Sequence, residues 1–201
     1  MKKSWAASVL VAAAFFAATP GAQASLIRFT GSLSGAAESP PNASPGTGIT
    51  FVLLDTFAHT LRVNVTFSGL TGTTTAAHIH CCTAVPGVGV AGVATTTPSF
   101  AGFPSGVTSG TYDQTLNLTL ASSWNPAFII AHGGTTAGAE AFLTAGALLG
   151  ESYFNIHTTT FGGGEIRSFL QVASIIPEPG TVGLLGMGVG ALVVMLRRRR
   201  R

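Results

Sequence analysis

The alternation of apolar and polar residues constrains the fold of this chain more than any other feature of its sequence. The clearest example lies at residues 61–67, where Leu61, Val63, Val65 and Phe67 alternate with polar residues. Successive side chains of a β-strand point to opposite faces of the sheet, so this pattern is typical of a strand with one buried face. A sheet of such strands must cover its apolar face with another layer.

Similar patterns recur between the two ends of the chain, separated by Gly, Pro, Asn and Thr residues that favour turns. We therefore predict an all-β fold, an antiparallel β-sandwich of about seven strands. One short helix is predicted over residues 137–149, and residues 83–110 are predicted to form a long loop. The predicted strands lie near residues 27–33, 49–53, 61–67, 76–80, 116–120, 153–158 and 165–172.

The charges of the chain are few and concentrated at its ends. Only 8% of its residues are charged, against about 25% in a typical soluble domain. Seven of the ten Lys and Arg residues lie at the termini, so residues 26–176 carry three arginines and six acidic residues, a net charge of −3. This distribution excludes nucleic-acid binding through a basic face.

The N-terminal segment is typical of a signal peptide. Two lysines precede an apolar run over residues 6–18, and the small residues before Ser25 predict cleavage between Ala24 and Ser25. The alternative is a membrane anchor, but thirteen apolar residues are too few to span about 30 Å of hydrocarbon. We therefore predict a signal peptide over residues 1–24 and export of the chain.

The C-terminal segment combines three features. Pro177, Glu178 and Pro179 precede sixteen uncharged residues, 181–196, and five arginines follow. Residues 181–196 are predicted to form a transmembrane helix with the arginines on the cytoplasmic side, which leaves the preceding domain outside. The physical pattern alone leaves a permanent and a transient anchor equally open.

This three-part ending resembles the PEP-CTERM sorting signal of Gram-negative bacteria. The resemblance covers residues 177–201 and is carried by Pro177, Glu178 and Pro179, the apolar helix and the arginine block. It implies that an exosortase processes the chain. The protein would then be an inner-membrane intermediate first, and reach the cell surface or the extracellular matrix afterwards.

Two histidines on a predicted strand are candidate metal ligands. His78 and His80 are two residues apart, so they share one strand face with Cα atoms about 6.5–7 Å apart. His157, on another predicted strand, offers a third imidazole, and such a set suits Zn or Cu. The alternative is that these rings only form hydrogen bonds inside the domain. His132 in a turn and His59 in a loop are weaker candidates.

Cys81 and Cys82 are the only cysteines, and export places them in an oxidising compartment. We predict a vicinal disulfide between them, with cross-links to another chain and soft metal ligands beside the histidines as the alternatives. No hydrolytic constellation or carboxylate pair is visible, so we predict no enzymatic activity. Glu165 and Arg167, two residues apart, are expected to form at most an exposed ion pair.

Four blocks of the middle region, in order, resemble the CHRD domain, a family named for chordin. The resemblance extends over about residues 26–173 and implies an immunoglobulin-like β-sandwich with no established activity. A looser likeness, Gly69-Leu70 before the His-x-His strand, is to copper/zinc superoxide dismutase, a Greek-key sandwich that needs more histidines and a bridging aspartate. The four blocks are residues 29–41, 77–80, 153–158 and 164–167.

Together these features predict a signal peptide at residues 1–24, a CHRD-like domain at 26–173 and a sorting signal at 177–201. The predicted function is that of an exported structural or binding module, associated with exopolysaccharide or with other surface proteins. The alternative is a Zn- or Cu-binding sandwich protein with superoxide dismutase-like properties.

Overall fold

The computed structural model describes residues 25–177 and residue 188. The predicted signal peptide lies outside these residues, and so does the predicted membrane helix apart from residue 188. Within the described part of the chain, no helix has the length and apolar character needed to cross a bilayer.

The described residues form a mostly β structure, as the alternating pattern predicts. Two α-helices, α1 (Pro126–Ala131) and α2 (Thr136–Leu148), lie between the fifth and sixth strands. The strands are β1 (Ser25–Ser34), β2 (Thr47–Asp55), β3 (Thr60–Ser68), β4 (Thr74–His80), β5 (Gly110–Asn117), β6 (Tyr153–Thr158), β7 (Ile166–Phe169) and β8 (Gln171–Pro177).

The eight strands are linked into one antiparallel sheet that curls into a half-barrel. Its order is β4-β6-β7-β1-β2-β3-β5, and β8 also pairs with β1. β1 joins the two halves, because β2 pairs along one side of it while β8 and β7 pair with successive parts of the other side. The antiparallel β fold is confirmed, but the predicted sandwich of two separate sheets is replaced by one continuous sheet.

The concave side of the sheet contains the hydrophobic core. The apolar residues of the segment 61–67 are all buried, as the alternation predicts, and Phe29 and Phe154 join them. Burying a large apolar side chain contributes about 1.5–3 kcal/mol, so these alternating positions fix which face of each strand turns inward. The polar positions between them face away from the core.

The strand predicted near residues 116–120 is misplaced. β5 ends at Asn117, and a 3-10 turn follows at Ala121–Ser123. The Asn117 side chain accepts hydrogen bonds from the backbone N–H and the hydroxyl of Thr119, at 2.9 and 2.7 Å. This local turn bends the chain away from the sheet, although Leu118 stays buried.

The helices show one confirmed and one missed prediction. The helix predicted over residues 137–149 is α2, whose N-cap Thr135 accepts a hydrogen bond from Gly138 N–H. The short α1 was not predicted, although its start carries a recognisable signal. Asn125 caps it by accepting from Ala127 N–H, and Pro126 occupies its first position.

Glu165 and Arg167 do not form the expected exposed pair. Both are buried and have different partners. The Glu165 carboxylate accepts hydrogen bonds from the hydroxyls of Ser44 and Thr158, each at 2.6 Å. Arg167 donates to a backbone carbonyl and faces Glu38 instead, with 3.7 Å between Arg167 Nε and a Glu38 oxygen.

Candidate metal centre

His78, His80 and His157 lie on the outer face of the β4–β6 pair. In β4 the alternate residues Ala77 and Ile79 point into the core, so the two histidines point outward. In the register of the two strands, Ala76 is opposite His157 and His78 is opposite Asn155, which places all three rings on the same face. The sheet pairing thus brings His157 beside His78 and His80, from which it is far apart in sequence.

The three rings converge on one point. One ligand nitrogen of each lies within 4.8 Å of those of the other two. Imidazole nitrogens bound to one tetrahedral zinc ion at 2.0–2.1 Å are about 3.3 Å from each other, so small side-chain rotations close the site. The distances between ring centroids are 5.6 Å for His78 and His80, 5.1 Å for His78 and His157, and 5.7 Å for His80 and His157.

Each ring forms a hydrogen bond to a backbone carbonyl through one nitrogen, and its second nitrogen has no hydrogen-bond partner. A backbone carbonyl can only accept, so the nitrogen bound to it carries the proton and the second nitrogen presents a lone pair. These second nitrogens, His78 Nδ1, His80 Nε2 and His157 Nε2, are buried and have no partner. The hydrogen bonds run from His78 Nε2 to Pro98, from His80 Nδ1 to Ala91 at 3.0 Å, and from His157 Nδ1 to Gly162 at 3.0 Å.

Burial keeps the three imidazoles neutral at physiological pH. Desolvation lowers the pKa of His80 to about 4, although the hydrogen bond to the Ala91 carbonyl raises that pKa by a smaller amount. Desolvation also lowers the pKa of His78 and of His157, while their carbonyl hydrogen bonds oppose the change. Neutral imidazole is the form that binds metal ions, so the rings need not lose a proton first.

The long loop predicted over residues 83–110 extends over residues 81–109 in the structure, between β4 and β5, and covers the site. It supplies the carbonyls of Ala91 and Pro98 that hold two of the rings. The loop is fixed to β4 in turn, because Ile79 N–H donates to Thr95 Oγ1 at 2.9 Å and Ala94 N–H donates to the Ile79 carbonyl at 2.9 Å. The loop therefore both shields and orients the histidines.

Neighbouring aromatic and charged residues pack around the histidines. The Tyr153 ring stacks on His80 with 4.7 Å between centroids, and Arg167 lies 4.7 Å from the Tyr153 centroid. Arg167 also donates to the carbonyls of Ala37 and Gly89, at 2.5 and 2.8 Å. Sequence reasoning missed Tyr153, although it lies four residues before His157 and so on the same face of β6.

The remaining candidate residues lie outside the cluster. His59 contacts Glu140 at 2.9 Å, and His132 stacks on Phe142. In the structure the sulfur atoms of Cys81 and Cys82 are bonded to each other. They do not join the histidines, because Cys81 follows His80 and its side chain is buried on the core side, against α2.

The two predicted processing points meet at one end of β1. Ser25, the residue after the predicted signal cleavage, is directly opposite Pro177, the first residue of the sorting motif. Ala24, Glu178 and Pro179 lie outside the described residues.

Comparison with known families confirms both resemblances. The CHRD domain model matches residues 29–170, well over half of the sequence, and the chain belongs to this family. The model of the PEP-CTERM protein-sorting motif matches residues 176–201. This motif implies an exported protein that is anchored in the membrane, processed by an exosortase and then sorted to the surface. No curated protein and no solved structure matches the chain.

Proposed function

We propose that this CHRD protein is an exported surface or matrix module that binds one zinc or copper ion at His78, His80 and His157. The observation that carries the proposal is that the three rings bring one nitrogen each within 4.8 Å of one another, while one nitrogen of each ring is buried without a partner. A buried acceptor without a hydrogen bond costs about 1–3 kcal/mol. One cation at the centre would satisfy all three.

The chemistry of the ligands favours these two metals. Imidazole suits Zn and Cu, whereas Mg²⁺ and Ca²⁺ require oxygen ligands. The cluster found in the described residues contains histidines alone, without a carboxylate. Because a dismutase of the copper/zinc type needs a bridging aspartate and further histidines, we propose metal binding and not superoxide dismutation.

The test is metal stoichiometry of the full chain purified in detergent, measured by elemental analysis after loading and dialysis. We expect one Zn or Cu per chain. The variants His78→Ala and His80→Ala should lose it, while His132→Ala, a control outside the cluster, should keep it. Equal metal content in all four proteins, or none in the unchanged chain, would contradict the proposal.

We also propose that the module associates with acidic exopolysaccharide through the outer face of β1–β3. This proposal is supported by Phe51, which is 57% exposed, and by Arg28 and Arg62, which are both opposite Leu53, two residues from Phe51 along β2. Arg62 forms a pair with Asp113, so Arg28 is the cation offered to a ligand. Phe51 and the two arginines line a shallow depression of about 530 Å³. An aromatic face suits the C–H face of a sugar, and arginine suits a carboxylate.

Co-sedimentation with an acidic polysaccharide tests this second proposal. The variants Phe51→Ala and Arg28→Ala should reduce binding of the purified chain. Thr111→Ala, an exposed substitution on β5, should not. Binding that persists in both of the first two variants would exclude this face.

A further inference from the structure

Two buried oxygen atoms beside the histidine cluster also lack a partner. They are Asn155 Oδ1 and Glu38 Oε1. Six buried side-chain atoms have no hydrogen bond in the described part of the chain, and five of them are these oxygens and the three imidazole nitrogens. The sixth belongs to Ser152. Buried polar atoms without partners are rare in folded proteins, so five in one region indicate that something else binds there.

Asn155 lies among the proposed metal ligands. It is directly opposite His78 in the β4–β6 pairing and two residues before His157, on the same face. Directly opposite residues of an antiparallel pair have Cβ atoms about 4.5–5.5 Å apart. The Asn155 side chain therefore lies beside the site on which the three rings converge.

Glu38, in the segment that follows β1, lies beside the Asn155 side chain. A Cβ atom built on Gly164 would lie 2.6 Å from Asn155 Nδ2, 2.7 Å from Asn155 Oδ1 and 2.8 Å from Glu38 Oε1, which shows that the Asn155 amide and the Glu38 carboxyl crowd the same backbone position. Only a glycine leaves room for them there. The closest cation to the Glu38 carboxyl is Arg167, with 3.7 Å between Arg167 Nε and the other carboxyl oxygen.

All five atoms are acceptors when Glu38 is ionised, which requires a pH above about 7 because burial raises the pKa of its carboxyl to about that value. They nevertheless need different partners. A metal ion satisfies the three nitrogens, whereas the two oxygens require hydrogen-bond donors. Three histidines leave a zinc or copper ion with an open coordination position, and water is the usual fourth ligand of such sites. A metal-bound water has two hydrogens to donate, one for each oxygen.

We infer that the ion keeps one exchangeable position, filled by a water molecule that donates hydrogen bonds to Asn155 Oδ1 and Glu38 Oε1. Small anions would compete for this position, because the three neutral histidines add no negative charge to balance the ion and the Glu38 carboxyl, when ionised, has Arg167 beside it. The inference rests on the proposed metal site. If the position is exchangeable, an external ligand can bind to the ion there. Asn155 and Glu38 are positioning residues, since they act on the water and not on the ion.

Cobalt(II) is the probe that tests this inference, because its visible spectrum reports a change of ligand. The full chain in detergent is loaded with Co(II) and titrated with azide. We expect a saturable spectral change. Azide has no hydrogen to donate, so removing either acceptor should disfavour water and raise azide affinity, by about fivefold for Asn155→Ala or Glu38→Leu.

The control is Asn64→Ala, the same substitution on the outer face of β3, which should bind azide like the unchanged chain. A Co(II) spectrum that azide leaves unchanged would overturn the inference and leave the metal site intact. Unchanged azide affinity in both Asn155→Ala and Glu38→Leu would also overturn it, because the Asn155 amide and the Glu38 carboxyl of the unchanged chain would then bond to each other and not to a water molecule. Failure to bind Co(II) at all would contradict the metal site itself.

Discussion

Ser25 is directly opposite Pro177 at one end of the pairing between β1 and β8. The other end of β1 is Ser34, which is opposite Arg167 of β7 beside the histidine cluster. Nine steps along a strand at about 3.3 Å each give about 30 Å between the two ends. The end of β1 at Ser25 therefore lies beside the start of the sorting motif, and the histidine cluster lies near the other end of β1.

Processing at both ends is the first prediction. In a host with an exosortase, the surface-located protein should begin at Ser25 and lack the residues that follow the Pro177-Glu178-Pro179 motif. Glu178→Ala should leave the whole tail attached and the protein in the membrane fraction. Intact-mass spectrometry gives the answer, and surface-located protein that still contains Arg201 would contradict the prediction.

The stability of the metal-free protein should depend on the buried histidines. Folding favours their neutral form, so protons bind more strongly to the unfolded chain, and stability is lost as the pH falls below about 6.5. The change for His80, whose pKa falls to about 4, corresponds to about 3 kcal/mol. Because the raised pKa of buried Glu38 has the opposite effect over a similar pH range, urea unfolding in the presence of a chelator should show the His80 contribution as a difference between the unchanged chain and a His80 variant, between about pH 6.5 and pH 4.

His80→Gln provides the comparison, because glutamine keeps a polar side chain but does not titrate. Its unfolding free energy should fall less steeply over the same pH range. The same decline in both proteins would show that His80 titrates alike in the folded and unfolded chain.

Close packing between α2 and the cysteine pair gives the third prediction. A Cβ atom on Gly146 would overlap the sulfur atoms of both Cys81 and Cys82. Gly146→Ala should therefore destabilise the protein by about 1–3 kcal/mol, as overpacking of a core does. The control is Gly92→Ala, because a Cβ at Gly92 meets no atom within 4 Å. Equal melting temperatures for the two variants would contradict this packing.

Arg167 should be far more important for stability than an exposed arginine. Arg167→Met leaves the carbonyls of Ala37 and Gly89 without donors and the buried Glu38 without a cation, a loss of about 3–5 kcal/mol. Arg62→Met, which breaks the exposed pair with Asp113, should change stability little. Chemical denaturation of both variants measures the difference, and similar losses would refute the role of Arg167.

The sequence predicts those parts of the site that depend on strand periodicity. His78 and His80 share a face because every strand has a two-residue period, and the apolar residues between them decide that this face is the outer one. The position of His157 beside them depends on the register of β4 against β6, which no local pattern specifies. The single curled sheet depends in the same way on β1 pairing on both sides.

Other parts of the site leave no trace in a single sequence. The three atoms that hold the rings are backbone carbonyls, of Ala91, Pro98 and Gly162, and any residue type provides a carbonyl. Glu38 joins Asn155 only because the segment after β1 turns back over β6 and β7. Side-chain identity therefore predicts the ligands, whereas the tertiary fold determines what orients them.

X-ray absorption spectroscopy of the zinc- or copper-loaded protein tests the central claim most directly. The account predicts a first coordination shell of nitrogen or oxygen at about 2.0–2.1 Å, with the outer-shell scattering of three imidazoles. That scattering should disappear in His78→Ala, which keeps only two of the three rings at the site and should not retain the ion. A shell of oxygen atoms without imidazole scattering in the unchanged protein would contradict the three-histidine metal site.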